Sequence, residues 1–159
     1  MSKDNKTETF DLNKHTFRLL QQEPFFASLS RRIHKAPSRH VPTAGVRINP
    51  QSAQFEMLYN PDFMAGLTDK EKLGILMHEY YHIIFEHVTS RLPSEGMSMK
   101  WNVATDLAIN SHIADMLPEG GCIPSKGIEV TFIILIDADG SRAQQAAGII
   151  PGQQHRALL

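Results

Sequence analysis

The sequence predicts an α+β domain in which a short β-hairpin is set between helices. Three observations lead there. Apolar residues recur at helical spacing on both sides of the middle of the chain. Two short strand-like runs flank the turn-forming Asn49-Pro50-Gln51-Ser52. Thr68-Asp69-Lys70-Glu71 then spells a capping box in front of a long helical segment. The bulk properties agree with one domain: 159 residues, 42% hydrophobic and 21% charged, which is enough apolar material for a sizeable core.

In chain order, residues 1–10 read as a polar start. Leu12 to Gln22 follows as a helix with Leu12, Phe17, Leu19 and Leu20 on its apolar side. Pro24 suits the first turn of a second helix running to about Ile33. Residues 34–45, with Pro37, Pro42 and Gly45, read as a loop. Val46 to Asn49 and Gln54 to Tyr59 are the two strand-like runs. In the second, Phe55, Met57 and Tyr59 alternate with Gln54, Glu56 and Leu58, as in a half-buried strand at a sheet edge. Asn60-Pro61 breaks it. The capped helix extends to about Arg91, where Pro93 and Gly96 end it, and another spans about Met99 to Met116 before Pro118 and Gly120-Gly121. A strand-like Val130 to Ile136 and a polar tail complete the chain. We expect residues 1–125 to form the domain and residues 126–159 a short strand and irregular tail.

Composition also excludes some functions. The formal net charge is −1, with 16 Lys+Arg against 17 Asp+Glu, so neither a nucleic-acid partner nor a membrane surface is expected. With a single cysteine, Cys122, no disulfide framework can form within the chain. The N-terminus lacks the apolar core of a signal peptide. A soluble, cytoplasmic protein is the expectation.

The chemistry concentrates in His78-Glu79-Tyr80-Tyr81-His82, an HExxH motif. Two histidines four residues apart lie about one turn apart on a helix, so both imidazoles can share one Zn²⁺ ion. Glu79 sits beside them, positioned to take a proton from water activated by the metal, so it is the candidate general base. Leu73, Leu76, Met77, Tyr80, Ile83, Ile84, Phe85 and Val88 make the helix apolar almost all round, so it is expected to be buried. A buried His-Glu-His set is costly unless paired or metallated.

A catalytic zinc site takes three protein ligands. On a continuous helix, His87 would fall about 180° from His78, and Glu86 about 12 Å along the axis from it, so neither completes the site. Asp106 is the better third ligand. It stands on the next helix in a polar stripe with Asn102 and Asn110, spaced i, i+4, i+8, with Val103, Leu107 and Ile109 supplying apolar packing. Asn110 or Asn102 can orient a ligand by hydrogen bonding. Tyr59, Tyr80 and Tyr81 read as core residues before oxyanion donors, Cys122 as a small buried hydrophobe, and Arg31, Arg32, Lys35, Arg39 and His40 as a solvated basic cluster.

The run from Thr43-Ala44-Gly45-Val46 through Tyr59-Asn60-Pro61-Asp62-Phe63 and Leu67-Thr68 to the segment His78–His87 resembles the zincin-like metallopeptidase domain family of bacteria and phages. Trp101 to Asn110 and Pro118-Glu119-Gly120 continue the likeness, which covers about residues 20–125. The resemblance implies a zincin-like fold, a divalent metal and peptidase activity, with His78, Glu79, His82 and Asp106 in the matching roles. Longer members continue into a von Willebrand A-like domain. Here Asp137-Ala138-Asp139-Gly140-Ser141 matches that domain's metal motif poorly, so a truncated or altered C-terminus is expected.

The sequence therefore points to a zinc-dependent metallopeptidase with one Zn²⁺ ion and a peptide or protein substrate bound along the hairpin edge. The alternatives are a non-catalytic metal-stabilised binding or assembly module, and a metal hydrolase acting on a non-peptide amide.

Overall fold

The computed structural model describes residues 11–119, which form a mixed α+β unit. Helix α1 (Leu12–Gln22) starts where the Asp11 carboxylate accepts a hydrogen bond from the Asn13 N–H at 2.9 Å. Its Leu19 is buried, but Phe17 is 59% exposed and does not join the core. Helix α2 (Pro24–Ser30) has Pro24 in its first turn, as expected, and stops three residues short of Ile33.

The stretch expected as a loop contains a strand. β1 (His34–Pro37) pairs in parallel with β3 (Phe55–Tyr59), and β2 (Ala44–Ile48) pairs antiparallel with the same strand. The order is β1-β3-β2, so the strand expected at a sheet edge is the central one. A parallel partner lies far away in sequence and leaves no turn signal, which explains the miss. The expected hairpin is present as β2 and β3. Its turn is set by the Asn49 side chain, which accepts from the Gln51 and Ser52 N–H groups at 2.9 and 3.2 Å.

Asn60 does more than break a strand. Its side-chain oxygen caps a short helix α3 (Pro61–Ala65), accepting from the Asp62 N–H at 3.0 Å and the Phe63 N–H at 3.4 Å. Helix α4 (Asp69–Ile84) opens on the expected capping box. The Thr68 hydroxyl accepts from the Glu71 N–H at 3.3 Å, and the Glu71 carboxylate accepts from the Thr68 N–H at 2.7 Å. The helix ends at Ile84, not near Arg91, because Glu86 takes the left-handed conformation with φ of 59° and turns the chain. Helix α5 (Met99–Ile113) is capped by Ser98 and runs into a 3₁₀ turn, Ala114–Met116.

The core lies between the helices and one face of the sheet. Leu19, Phe26, Val46, Met57, Met64, Leu76, Tyr80, Ile109 and Ile113 meet there. Each large apolar side chain so buried contributes about 1.5–3 kcal/mol. On the opposite face Leu58 packs with Val41 and Ala36. No helix among the described residues is long and apolar enough to cross a membrane. Cys122, the Val130 to Ile136 segment and the Asp137–Ser141 run lie outside the described residues.

Candidate metal centre

The α4 register puts His78 and His82 on one side of the helix, one turn apart, and α5 lies against that side. The contacts fix its direction. Trp101 meets His87, Asp106 meets His82, and Asn110 meets His78, so the two helices run antiparallel. The polar stripe Asn102, Asp106 and Asn110 is 4–5% exposed, and thus faces α4 and not water.

Three ligand-type atoms converge. His78 Nε2 and His82 Nε2 are 3.0 Å apart, and Asp106 Oδ1 lies 3.5 Å from the first and 3.2 Å from the second. With bond lengths of about 2.0–2.1 Å, the edge of a tetrahedral zinc site is about 3.3 Å, so these spacings fit three corners around one small cation. Asp106 Oδ1 is buried without a well-formed hydrogen bond among the described residues. A buried carboxylate oxygen left in that condition carries a desolvation cost that a cation would remove. The donor set therefore fits a divalent ion.

Each of these side chains is held from behind. His78 Nδ1 faces Asn110 Oδ1 at 2.8 Å. The Asn102 amide donates to Asp106 Oδ2 at 3.2 Å. His82 Nδ1 faces His87 Nδ1 at 3.3 Å. The two asparagines were candidates for such roles from sequence. A continued helix would carry His87 to the far side. The turn at Glu86 instead brings its ring beside that of His82, with centroids 5.3 Å apart. Glu86 itself is exposed, and its carboxylate accepts from the Ser90 hydroxyl. A non-glycine residue in the left-handed region gives no reliable sequence signal, so this placement was not legible beforehand.

The electrostatics follow from burial and crowding. Burial disfavours the charged form of His78, but the Asp106 carboxylate, with Glu79 and Asn110, outweighs it and raises the imidazole to about 9. Burial likewise opposes ionisation of Asp106, and the two histidines overcome it to hold its pKa below the usual carboxylate value. Glu79 goes the other way. It is 6% exposed, and burial pushes its pKa up against the pull of His78 and His82. The Val46 backbone N–H is its hydrogen-bond donor from β2. Burial first, then the neighbouring His82 and Arg91, lowers His87 to about 4, so its ring is neutral near pH 7.

That Val46 donor is free for a reason. Asn60 N–H bonds to Thr43 O, and Asn49 N–H to Gln54 O, at the two ends of the β2–β3 ladder. Antiparallel pairing alternates, so Gly45 and Arg47 bond to β3 while the backbone groups of Ala44, Val46 and Ile48 point outward. The outer edge of β2 thus runs past Glu79. Other candidates have structural roles. Tyr80 is fully buried and its hydroxyl donates to Ser30 Oγ at 2.9 Å. Tyr81 packs among Phe26, Phe85 and His112, and Tyr59 closes β3. The basic cluster disperses, with Arg39 paired to Asp62 and Lys35 donating to backbone carbonyls.

Comparison with known proteins gives the family of the chain. An uncharacterized protein of Thermotoga maritima is 24% identical over 110 residues, which is 69% of this chain and 27% of that protein, so the chain spans about a quarter of the relative's length. No solved structure matches. A family model described as "Putative metallopeptidase domain" matches residues 7–135 and takes in α4, α5 and every residue of the cluster, and the chain therefore belongs to that family.

Proposed function

We propose that the protein is a zinc-dependent peptidase of zincin-like architecture, in which His78, His82 and Asp106 hold one Zn²⁺ ion and Glu79 is the general base. The observation that carries this reading is the triangle of 3.0, 3.2 and 3.5 Å edges around a buried, under-bonded carboxylate oxygen, with Glu79 next in sequence to one of the histidines. Two nitrogens and one carboxylate oxygen are an ordinary donor set for catalytic zinc.

When bound there, the ion supplies Lewis acidity, polarising the scissile carbonyl and making water easier to deprotonate. Glu79 takes the proton from the attacking water and returns it to the leaving amine. The Val46 N–H orients the carboxylate. Asn110 and Asn102 fix the imidazole of His78 and the carboxylate of Asp106. An extended peptide pairs with those outward backbone groups of β2, the true hairpin edge, that the Val46–Glu79 contact leaves open. The test is Glu79→Gln, assayed against a broad peptide library alongside a metal determination. Cleavage is expected to vanish while zinc stays bound.

A second reading, a metal-stabilised module without catalysis, draws on the low exposure of the cluster, with the side chains of His78 and Asp106 alone at 14% and 7%. It predicts that wild type and Glu79→Gln bind zinc equally and that neither cleaves any member of the library.

A further inference from the structure

We infer that His87 is a positioning residue for the metal centre, fixing the tautomer and orientation of His82 from behind. The inference rests on the proposed metal site and adds to it a residue that is not a ligand.

The proton count leads to it. His82 Nε2 is the atom turned toward His78 Nε2 and Asp106 Oδ1. To bind a cation, that nitrogen must present its lone pair, so the ring proton resides on Nδ1. The group facing this Nδ1–H, at 3.3 Å, is His87 Nδ1. It must therefore accept, with its own proton on Nε2. One proton lies between the two facing nitrogens, and both rings remain neutral. In this arrangement His87 stands to His82 as Asn110 stands to His78, whose Nδ1–H donates to Asn110 Oδ1.

The fold builds the position. Glu86, at φ of 59°, reverses the chain just past α4, and the His87 N–H closes the turn on His82 O at 2.9 Å. His87 is thereby tied to the residue it orients through backbone and side chain alike. The second tie comes from α5. The Trp101 indole stands edge-on to the His87 ring, centroids 6.0 Å apart, and its Nε1–H donates to His87 O at 3.4 Å. Trp101 is on the helix that carries Asp106, so one helix sets both the third ligand and the support of the second. The His87 side chain is buried, at 3% exposure, so water does not readily replace it as acceptor.

A purely structural role is the competing account, and two substitutions separate them. His87→Phe keeps an aromatic ring for Trp101 but removes the acceptor. His87→Asn places an amide oxygen near the position of Nδ1. Zn²⁺ and Co²⁺ affinities are measured on the full chain by competition with a chelator, with the Co²⁺ absorption bands as a reading of ligand geometry and the melting of the metal-free protein as a folding control. His87→Leu serves as a second acceptor-free replacement if the phenyl ring is rejected. The expected result is an affinity about 10–100-fold weaker in His87→Phe, the cost typical of losing such a partner, with altered Co²⁺ bands and most of the loss recovered in His87→Asn. Tight binding by the wild type with unchanged affinity in His87→Phe overturns this inference alone. Equal weakening in the Phe and Asn variants also overturns it, in favour of packing. Failure of the wild type to bind either metal overturns the metal-site reading as well.

Discussion

Gly74 lies in the middle of α4, where glycine is the wrong residue on propensity alone. Alanine there should gain about 0.8–1.0 kcal/mol of helix stability. The structure predicts the opposite. A Cβ on Gly74 would stand 2.9 Å from both the carbonyl carbon and the Cβ of Met116, and closer still to the Met116 carbonyl oxygen. Carbon atoms pack comfortably at about 3.5–4.0 Å and the oxygen contact needs still more relief, so α4 and the 3₁₀ turn would have to part by about 1 Å or more. The obstacle is mainly backbone, so no rotamer change relieves it. Overpacking of this kind costs about 1–3 kcal/mol, which exceeds the propensity gain over most of that range. At the middle of that range we expect Gly74→Ala to lose about 1 kcal/mol net, lowering Tm by roughly 3–6 °C in a domain of this size. Because the 3₁₀ turn continues α5, the strain also displaces the helix that carries Asn110 and Asp106, and metal affinity should fall with stability. Calorimetry of the metal-free protein and a chelator competition measure the two effects. Gly66→Ala is the control, since its nearest contact would be an ordinary 3.5 Å. A Gly74→Ala protein as stable as wild type would refute the close approach of α4 and the turn.

Three other outcomes follow from the same geometry. Tyr80→Phe strands the buried Ser30 hydroxyl that ties α2 to α4, and should cost about 1–2 kcal/mol in urea unfolding without altering metal content. Thr68→Ala removes one half of the α4 capping box and should cost about 0.5–2 kcal/mol in the same measurement. His15, buried beside Asp69 and pressed by Lys72 and Arg18, is lowered from 6.5 to about 4, chiefly by burial. Between those values the unfolded chain binds the proton and the folded chain does not, so stability is lost as pH falls from 6.5 toward 4. Melting curves at pH 7 and pH 4.5 should show a smaller drop for His15→Gln than for wild type, and parallel drops would contradict this.

The legible features of the fold were those whose causes are local. The capping box of Thr68 and Glu71, Pro24 at a helix start, and the Asn49 turn each act within four residues, and each stands where the sequence puts it. Features set by distant partners were not legible. β1 exists because His34–Pro37 finds β3 some twenty residues on, and that same pairing makes β3 central instead of an edge. The pairing of Asp106 with His78 and His82 could be anticipated because HExxH lacks a third ligand and the next helix offered one carboxylate in a polar stripe. The placement of His87 beside His82 could not, since it depends on a left-handed glutamate that ends α4 seven residues early.

Both the proposed catalysis and the positioning role of His87 require the metal. The direct measurement is metal content of the purified protein by inductively coupled plasma mass spectrometry, for wild type and for His78→Ala and Asp106→Ala. The account predicts one zinc per wild-type chain and a large loss in both variants, with all three proteins folded. A folded wild type that takes up no metal when zinc is supplied, or variants that retain it undiminished, would contradict it.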